Sequence, residues 1–434
     1  MKKIVVAIII YMIWSNLFSG TRGSDISKLT SNYSISDVLS GYEDYSQTAD
    51  EDAYEDSYED RETQQVYEDE INDYYEEPDE VSGAERMKEL EDLYYGICVV
   101  DAEFDSDKTY EALCMAVEEH EDSVVIYRGL EYVVSDVKRF RVMSDYSYFW
   151  CDGWSYSTYD DYIAVYFDYL FNSYEAERIE EQIDSIYRDI QYEVTESTDG
   201  SPWSTAEYVY DYLVREVTFD EYYGPNIRNI YGALIEKRAV CAGYTAAFDY
   251  IMSRMGYGVG VAGNTNHIWN YMYWDSEDCF IDVTWGDPDA WDAYGNHYVD
   301  YSFMGLDYYE LQELDSHAIE YVYVSGRGYD NIDVEYDYYY GAYVGNYCDV
   351  CGFTAYSYSY ETVRDILYRQ FCNNNNSLIV KFSDSNELFT AINELQNNNC
   401  ETLNCILGDI GYCGYYSYSY DEACNTFVLY LNTQ

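Results

Sequence analysis

Ala239-Val240-Cys241-Ala242-Gly243-Tyr244 stands directly ahead of Phe248, Ile251, Met252 and Met255, apolar residues spaced to share one face of a helix, and Gly256 follows as a stop. The pattern predicts a helix that begins at Cys241. At such a start the free backbone N–H groups and the positive end of the helix dipole favour a thiolate, the reactive form of cysteine. The small Ala242 and Gly243 read as room for a substrate to approach the sulfur. A packed core thiol would fit the same stretch on its own, so the rest of the chain has to supply partners.

His267-Ile268-Trp269-Asn270 supplies the first, running on as a strand through Tyr271 to Trp274. The second is Phe280-Ile281-Asp282-Val283-Thr284-Trp285, also strand-like, and the polar Asp275-Ser276-Glu277-Asp278 joins the two as a hairpin. Because the turn falls about midway between His267 and Asp282, the two are expected close together on adjacent strands. A thiol, an imidazole to take its proton and a carboxylate to fix the ring's tautomer make up a nucleophilic triad. Cys241 is therefore the candidate nucleophile, His267 its base and Asp282 the orienting acid. Gly243, Tyr244, Trp269 and Trp285 are expected to line or shield this site. Asn270 alternates to the other face of its strand, where a structural hydrogen bond is expected.

These blocks, Val240 to Tyr244, His267 to Asn270 and Asp282 to Trp285, resemble in order and spacing the signature of the transglutaminase-like superfamily, including its secreted bacterial members. The resemblance covers roughly residues 200–305, with a weaker tail from Ser302-Phe303-Met304 to Asp315-Ser316-His317. It implies an α+β fold with a papain-like transglutaminase core, in which a thiol-bearing helix packs on an antiparallel sheet. It also implies acyl transfer through a Cys241 thioester formed from a protein or peptide amide and resolved by an amine or by water. Within the same fold a peptidase or amidase is the narrower reading, and a non-catalytic cell-surface module that binds peptide or glycan is the rival class. An oxyanion hole would use the Cys241 N–H and a second donor, for which Trp203, Tyr231 and Asn264 are all eligible. No cofactor is implied. The sequence departs from the family pattern in the tyrosines around the site, Tyr271 and Tyr273 among them.

Outward from this centre, Ser204-Thr205-Ala206-Glu207 has the form of a capping box opening a helix with Val209, Leu213 and Val214, and Ile230 to Lys237 reads as a second helix. Two flanking segments look alike. Phe149-Trp150-Cys151-Asp152-Gly153-Trp154-Ser155-Tyr156-Ser157 parallels Gly411-Tyr412-Cys413-Gly414-Tyr415-Tyr416-Ser417-Tyr418-Ser419. Each precedes a strand-like run, at Ile163 to Phe167 and Thr426 to Tyr430, and each follows another, at Ser123 to Tyr127 and Ser377 to Phe382. A duplicated small α/β module on either side of the centre is the expectation. Its aromatic hairpins suit either a tyrosine-rich core or the binding of sugar or peptide.

The chain carries 83 acidic against 23 basic side chains, a net charge of -60, which repels nucleic-acid phosphates and excludes nucleic acid as a partner class. A basic or cell-wall-associated protein or peptide substrate would instead be attracted. Met1-Lys2-Lys3, the apolar run Ile4 to Phe18 and the small residues behind it read as an export signal, so a secreted or cell-surface protein is expected, membrane-bound only if the segment stays uncleaved. The expected organisation is a signal peptide at 1–23, an acidic disordered stalk with repeated Tyr-Glu-Asp at 24–82, an α/β module at 83–195, the catalytic domain at 196–325 and a Tyr/Cys-rich module at 326–434. Twelve cysteines in an exported chain suggest some disulfides, and the Cys348 and Cys351 pair reads as a disulfide or idle thiols rather than a zinc site. No EF-hand loop is present and no metal is expected. His297 and His317 read as surface or loop residues, and His120, in an acidic run, as solvated.

Overall fold

The computed structural model describes residues 82–432 apart from 136–147, 223, 265, 275–276, 315, 318, 320, 325–341 and 344. The expected signal segment and nearly all of the expected stalk lie outside the described residues. Two of the small sheets share one topology. In the first, β1 (Cys98–Asp101), β2 (Ser123–Tyr127), β3 (Cys151–Thr158) and β4 (Tyr162–Tyr169) run in the order β1-β2-β4-β3, with β1 and β2 parallel and the other pairs antiparallel. The helix Ser106–Glu118 makes the crossover between the parallel strands, and burial of Ala112, Leu113, Ala116 and Val117 holds it to the sheet.

The central region follows. After the helices Ser173–Ser197 and Pro202–Glu216 come the short parallel pair β5 (Thr218–Phe219) and β6 (Arg238–Ala239), then the helix Cys241–Arg254, here called the thiol helix. Its Phe248, Ile251 and Met252 are buried, and Gly256 behind it adopts φ 90°, a left-handed value that ends helices well. The helix packs on a largely antiparallel sheet in which β7 (Gly258–Gly263), β8 (Ile268–Trp274), β9 (Glu277–Ile281), β10 (Met304–Leu306) and β11 (Tyr321–Val324) take the order β10-β9-β8-β7-β11, while β12 (Ala342–Tyr343) pairs parallel to β9. Side chains alternate across this sheet as the period of two requires. Val259, Met272 and Ile281 join the main core, whereas Ala262, Trp269, Tyr271 and Phe280 fill a second cluster.

The last sheet contains β13 (Thr354–Ala355), β14 (Ser377–Phe382), β15 (Tyr415–Asp421) and β16 (Thr426–Asn432) in the order β13-β14-β16-β15. β13 and β14 are parallel and the remaining pairs antiparallel, with the helix Tyr360–Cys372 as crossover, so order and orientation repeat those of the first sheet. One continuous apolar cluster runs from Ala102 and Leu113 through Phe248 and Ile251 to Leu378 and Leu431, so the flanking modules and the centre consolidate one another.

Several local expectations are corrected. The helix expected to open at Ser204 opens at Pro202, because Ser201 is the N-cap and accepts the Ser204 N–H at 3.2 Å, while Pro202 needs no N–H partner in the first turn. The Ile230 to Lys237 stretch is a short π-helical turn, Gly232–Glu236, closed by Lys237 at φ 58°. No disulfide joins any of the twelve cysteines, all of which lie among the described residues, so the expected disulfides are absent. Among the described residues no helix is long and apolar enough to cross a membrane.

Candidate functional site

Val240 caps the thiol helix with extended backbone and no side-chain hydrogen bond, so no side chain competes for the positive helix start, where the half-buried Cys241 sits. The β8–β9 register pairs Asn270 with Ile281. Continued one step, it sets Asp282 opposite Trp269 and on the same face as His267, two residues before Trp269. Two further bonds fix the helix against the strand. Thr245 donates its hydroxyl to the Ile268 carbonyl at 3.1 Å, and the Asn270 amide donates to the Thr245 carbonyl at 3.1 Å; the same amide also reaches the Gly260 carbonyl of β7 at 3.4 Å.

This scaffold brings Cys241, His267 and Asp282 together. His267 Nε2 lies 2.6 Å from Asp282 Oδ2, and the Cys241 side chain is near enough to the same imidazole to help raise its pKa. Asp282 is 1% exposed. Burial alone would push its carboxyl up, yet the imidazoles of His267 and His317 hold it well below the usual carboxylate range. Burial also works against a charged His267. The Asp282 carboxylate more than offsets it, and with the Cys241 sulfur lifts the imidazole to about 10.

His317 is the residue that sequence reasoning missed. Expected at the surface or in a loop without function, it is fully buried, with Nε2 2.7 Å from the same Asp282 oxygen and Nδ1 3.0 Å from Ser316 Oγ. The Ser316 carbonyl accepts the Asn264 amide at 2.8 Å, tying this loop to the one that carries His267. Nothing in the local sequence marks His317, because its partner lies 35 positions away. His267, Asp282 and His317 form a cluster whose ligand atoms fall within 4.8 Å and so could hold a metal ion, although direct hydrogen bonds join all three here.

The remaining expected site residues divide. Trp269 is fully buried, its ring 5.6 Å from that of His267 and 4.7 Å from that of His317. Trp285 is 37% exposed, stands 4.6 Å edge-on to His317 and donates its backbone N–H to Asp282 Oδ1 at 3.1 Å. Gly243 and Tyr244 are not at the rim. A Cβ on Gly243 would lie 2.7 Å from the Ile227 carbonyl oxygen, so its smallness serves backbone packing rather than substrate entry. Tyr244 is fully buried, with its hydroxyl 2.6 Å from Asp287 Oδ2.

Among the eligible oxyanion donors, Asn264 has both ends of its amide engaged, accepting the N–H groups of Asn266 and His267 and donating to Ser316. Trp203 packs its ring on Gly305, and Tyr231 lies 5.0 Å from Phe171. Two other histidines also differ from expectation. His120 stacks 5.2 Å from both Trp150 and Tyr169, and His297 is 9% exposed beneath Trp291. Both rings are recruited by aromatic neighbours that the linear sequence does not place beside them.

No protein-family model and no curated protein matches the sequence. Among solved structures the chain is similar to one described as a crystal structure of a TGase, at 13% identity and a TM-score of 0.23 over 43% of this chain. The chain spans 58% of that structure's length.

Proposed function

We propose that the protein is an exported, transglutaminase-like thiol enzyme with a papain-like core, acting on amides of proteins or peptides. The observation that carries this reading is that one imidazole, His267, is hydrogen-bonded to the buried Asp282 carboxylate and interacts electrostatically with the Cys241 side chain at an uncapped helix start. A protonated His267 beside sulfur stabilises a thiolate by charge. The thiolate attacks the amide carbonyl, forming the S–C bond, and the tetrahedral oxyanion is met by the Cys241 N–H. Collapse breaks the C–N bond as His267 gives its proton to the leaving amine. A thioester remains, and water or an amine, deprotonated by His267, resolves it and frees the thiol. Asp282 orients the ring and stabilises its charged form throughout.

The net charge of -60 favours a basic protein or peptide, or a cationic wall polymer, as substrate. Incubation with glutamine peptides, with and without a primary amine, followed by mass measurement of the products tests the reaction class. Amine incorporation or water addition by the wild type, lost on Cys241→Ala, is expected. Unchanged turnover in that variant would end the proposal.

A further inference from the structure

On the thiol-enzyme reading above, we propose that His317 is a positioning residue: its Nε2–H, donated to Asp282 Oδ2, fixes the rotation of that carboxylate and keeps it in the form that pairs with His267. The argument begins with hydrogen-bond capacity. Ionised Asp282 can only accept, and it accepts from His267 and His317 at Oδ2 and from the Trp285 backbone at Oδ1. His317 can donate from Nε2 while neutral, because Ser316 Oγ stands at Nδ1 as a hydroxyl able to donate in return. The ring cannot easily turn away. It is fully buried, with Trp269 at 4.7 Å and Trp285 at 4.6 Å, and the Asn264 amide holds its loop through the Ser316 carbonyl.

Among the described residues, the titratable groups that interact with this cluster are Cys241 and His267, together with Tyr210 of the helix Pro202–Glu216, whose hydroxyl is donated to the Asp300 carbonyl. None of these supplies Asp282 with a substitute donor. Without the His317 bond, a carboxylate buried among aromatic rings takes up a proton at a higher pH, and His267 then loses its counter-ion.

The test is the pH dependence of iodoacetamide alkylation at Cys241, read by mass spectrometry of that peptide in the full chain, with exposed Cys372 as internal reference. His317→Gln keeps an N–H donor and loses the ring, whereas His317→Phe keeps the ring and loses the donor. The Gln variant should retain the wild-type acid limb. In the Phe variant that limb should move up by about one pH unit, a rate roughly tenfold lower on the slope. A Phe limb coincident with wild type, or a Gln limb displaced as far as Phe, overturns the inference. Wild-type Cys241 reacting no faster than Cys372 overturns the thiol-enzyme reading itself, and the inference with it. Should the Phe variant fail to fold, His317→Ala with and without added imidazole gives the same decision: return of the acid limb supports a donor role, and no return refutes it.

Discussion

Thr245 donates its hydroxyl to the carbonyl oxygen of Ile268 at 3.1 Å, one helical turn beyond Cys241 and one residue beyond His267. With the Asn270 amide donated to the Thr245 carbonyl, this bond ties the element carrying the sulfur to the element carrying the ring.

Thr245→Val keeps the shape and removes that bond. The variant is expected to lose about 1–2 kcal/mol of stability, the usual cost of a buried carbonyl left short of a partner. It should also alkylate more slowly at Cys241. Urea unfolding and the alkylation rate together check this, and a fully stable variant with wild-type reactivity would show that the bond positions nothing.

Gly243→Ala tests the close approach beneath the thiol helix. The new methyl would meet the Ile227 oxygen at 2.7 Å, Ala239 Cβ at 2.9 Å and the Asn229 oxygen at 3.3 Å, two of them backbone atoms that cannot swing aside. A loss of about 1–3 kcal/mol is expected, as for overpacking elsewhere. A melting temperature equal to wild type would contradict the packing role given to this glycine.

Asp249 lies on the thiol helix, completely buried, with no hydrogen-bond partner for either carboxylate oxygen, and burial raises its pKa from 3.8 to about 7. For an acid raised on folding, the folded state holds the proton longer than the unfolded state. Stability is therefore highest below pH 3.8, declines as pH rises, and is fully reduced above about 7. The total is roughly 4 kcal/mol at about 1.4 kcal/mol per pKa unit. Asp249→Asn should gain stability relative to wild type at pH 8 and gain little at pH 4. Equal differences in urea midpoint at the two pH values would rule this out.

His267 shows the same sign in a higher pH window, here because its charged form is stabilised. Its folded value of about 10 exceeds the ordinary 6.5, so its pairing with Asp282 stabilises fully below 6.5 and the gain disappears as pH rises through 10. Asp282 is depressed, so its contribution holds above 3.8 and is lost as pH falls. His267→Gln should accordingly flatten the alkaline side of the stability profile, measured as urea midpoints from pH 6 to 10. Persistence of the alkaline decline would remove His267 as its source.

Asp282→Asn replaces the acceptor with an amide that cannot hold the His267 tautomer. A drop of about 10⁴ in turnover of the amine-exchange reaction is expected from the equivalent change in other triads. A drop below tenfold would mean that the carboxylate is not part of the chemistry.

How far the sequence could be read varies from residue to residue. The thiol helix is legible because Phe248, Ile251 and Met252 repeat at helical spacing, and the β8–β9 hairpin is legible because a polar turn separates two apolar runs. The start of the helix at Pro202 is harder, since Ser201 and Ser204 are both acceptable caps and only the backbone path distinguishes them. Gly243 illustrates the opposite difficulty. Its smallness is plain in the sequence, but whether the space serves a substrate or the Ile227 carbonyl depends on a loop that periodicity does not describe.

The linear chain by itself determined which local elements form and which reactive side chains those elements carry, because hydrophobic period, turn residues and caps act over a few positions. Tertiary structure alone decided that His317 meets Asp282, that Asp249 is left without a partner, and that the flanking sheets and the centre share one core. Those outcomes depend on contacts between residues far apart in sequence. Burial then gives each contact its weight, by removing the water that would otherwise compete for the same polar atoms.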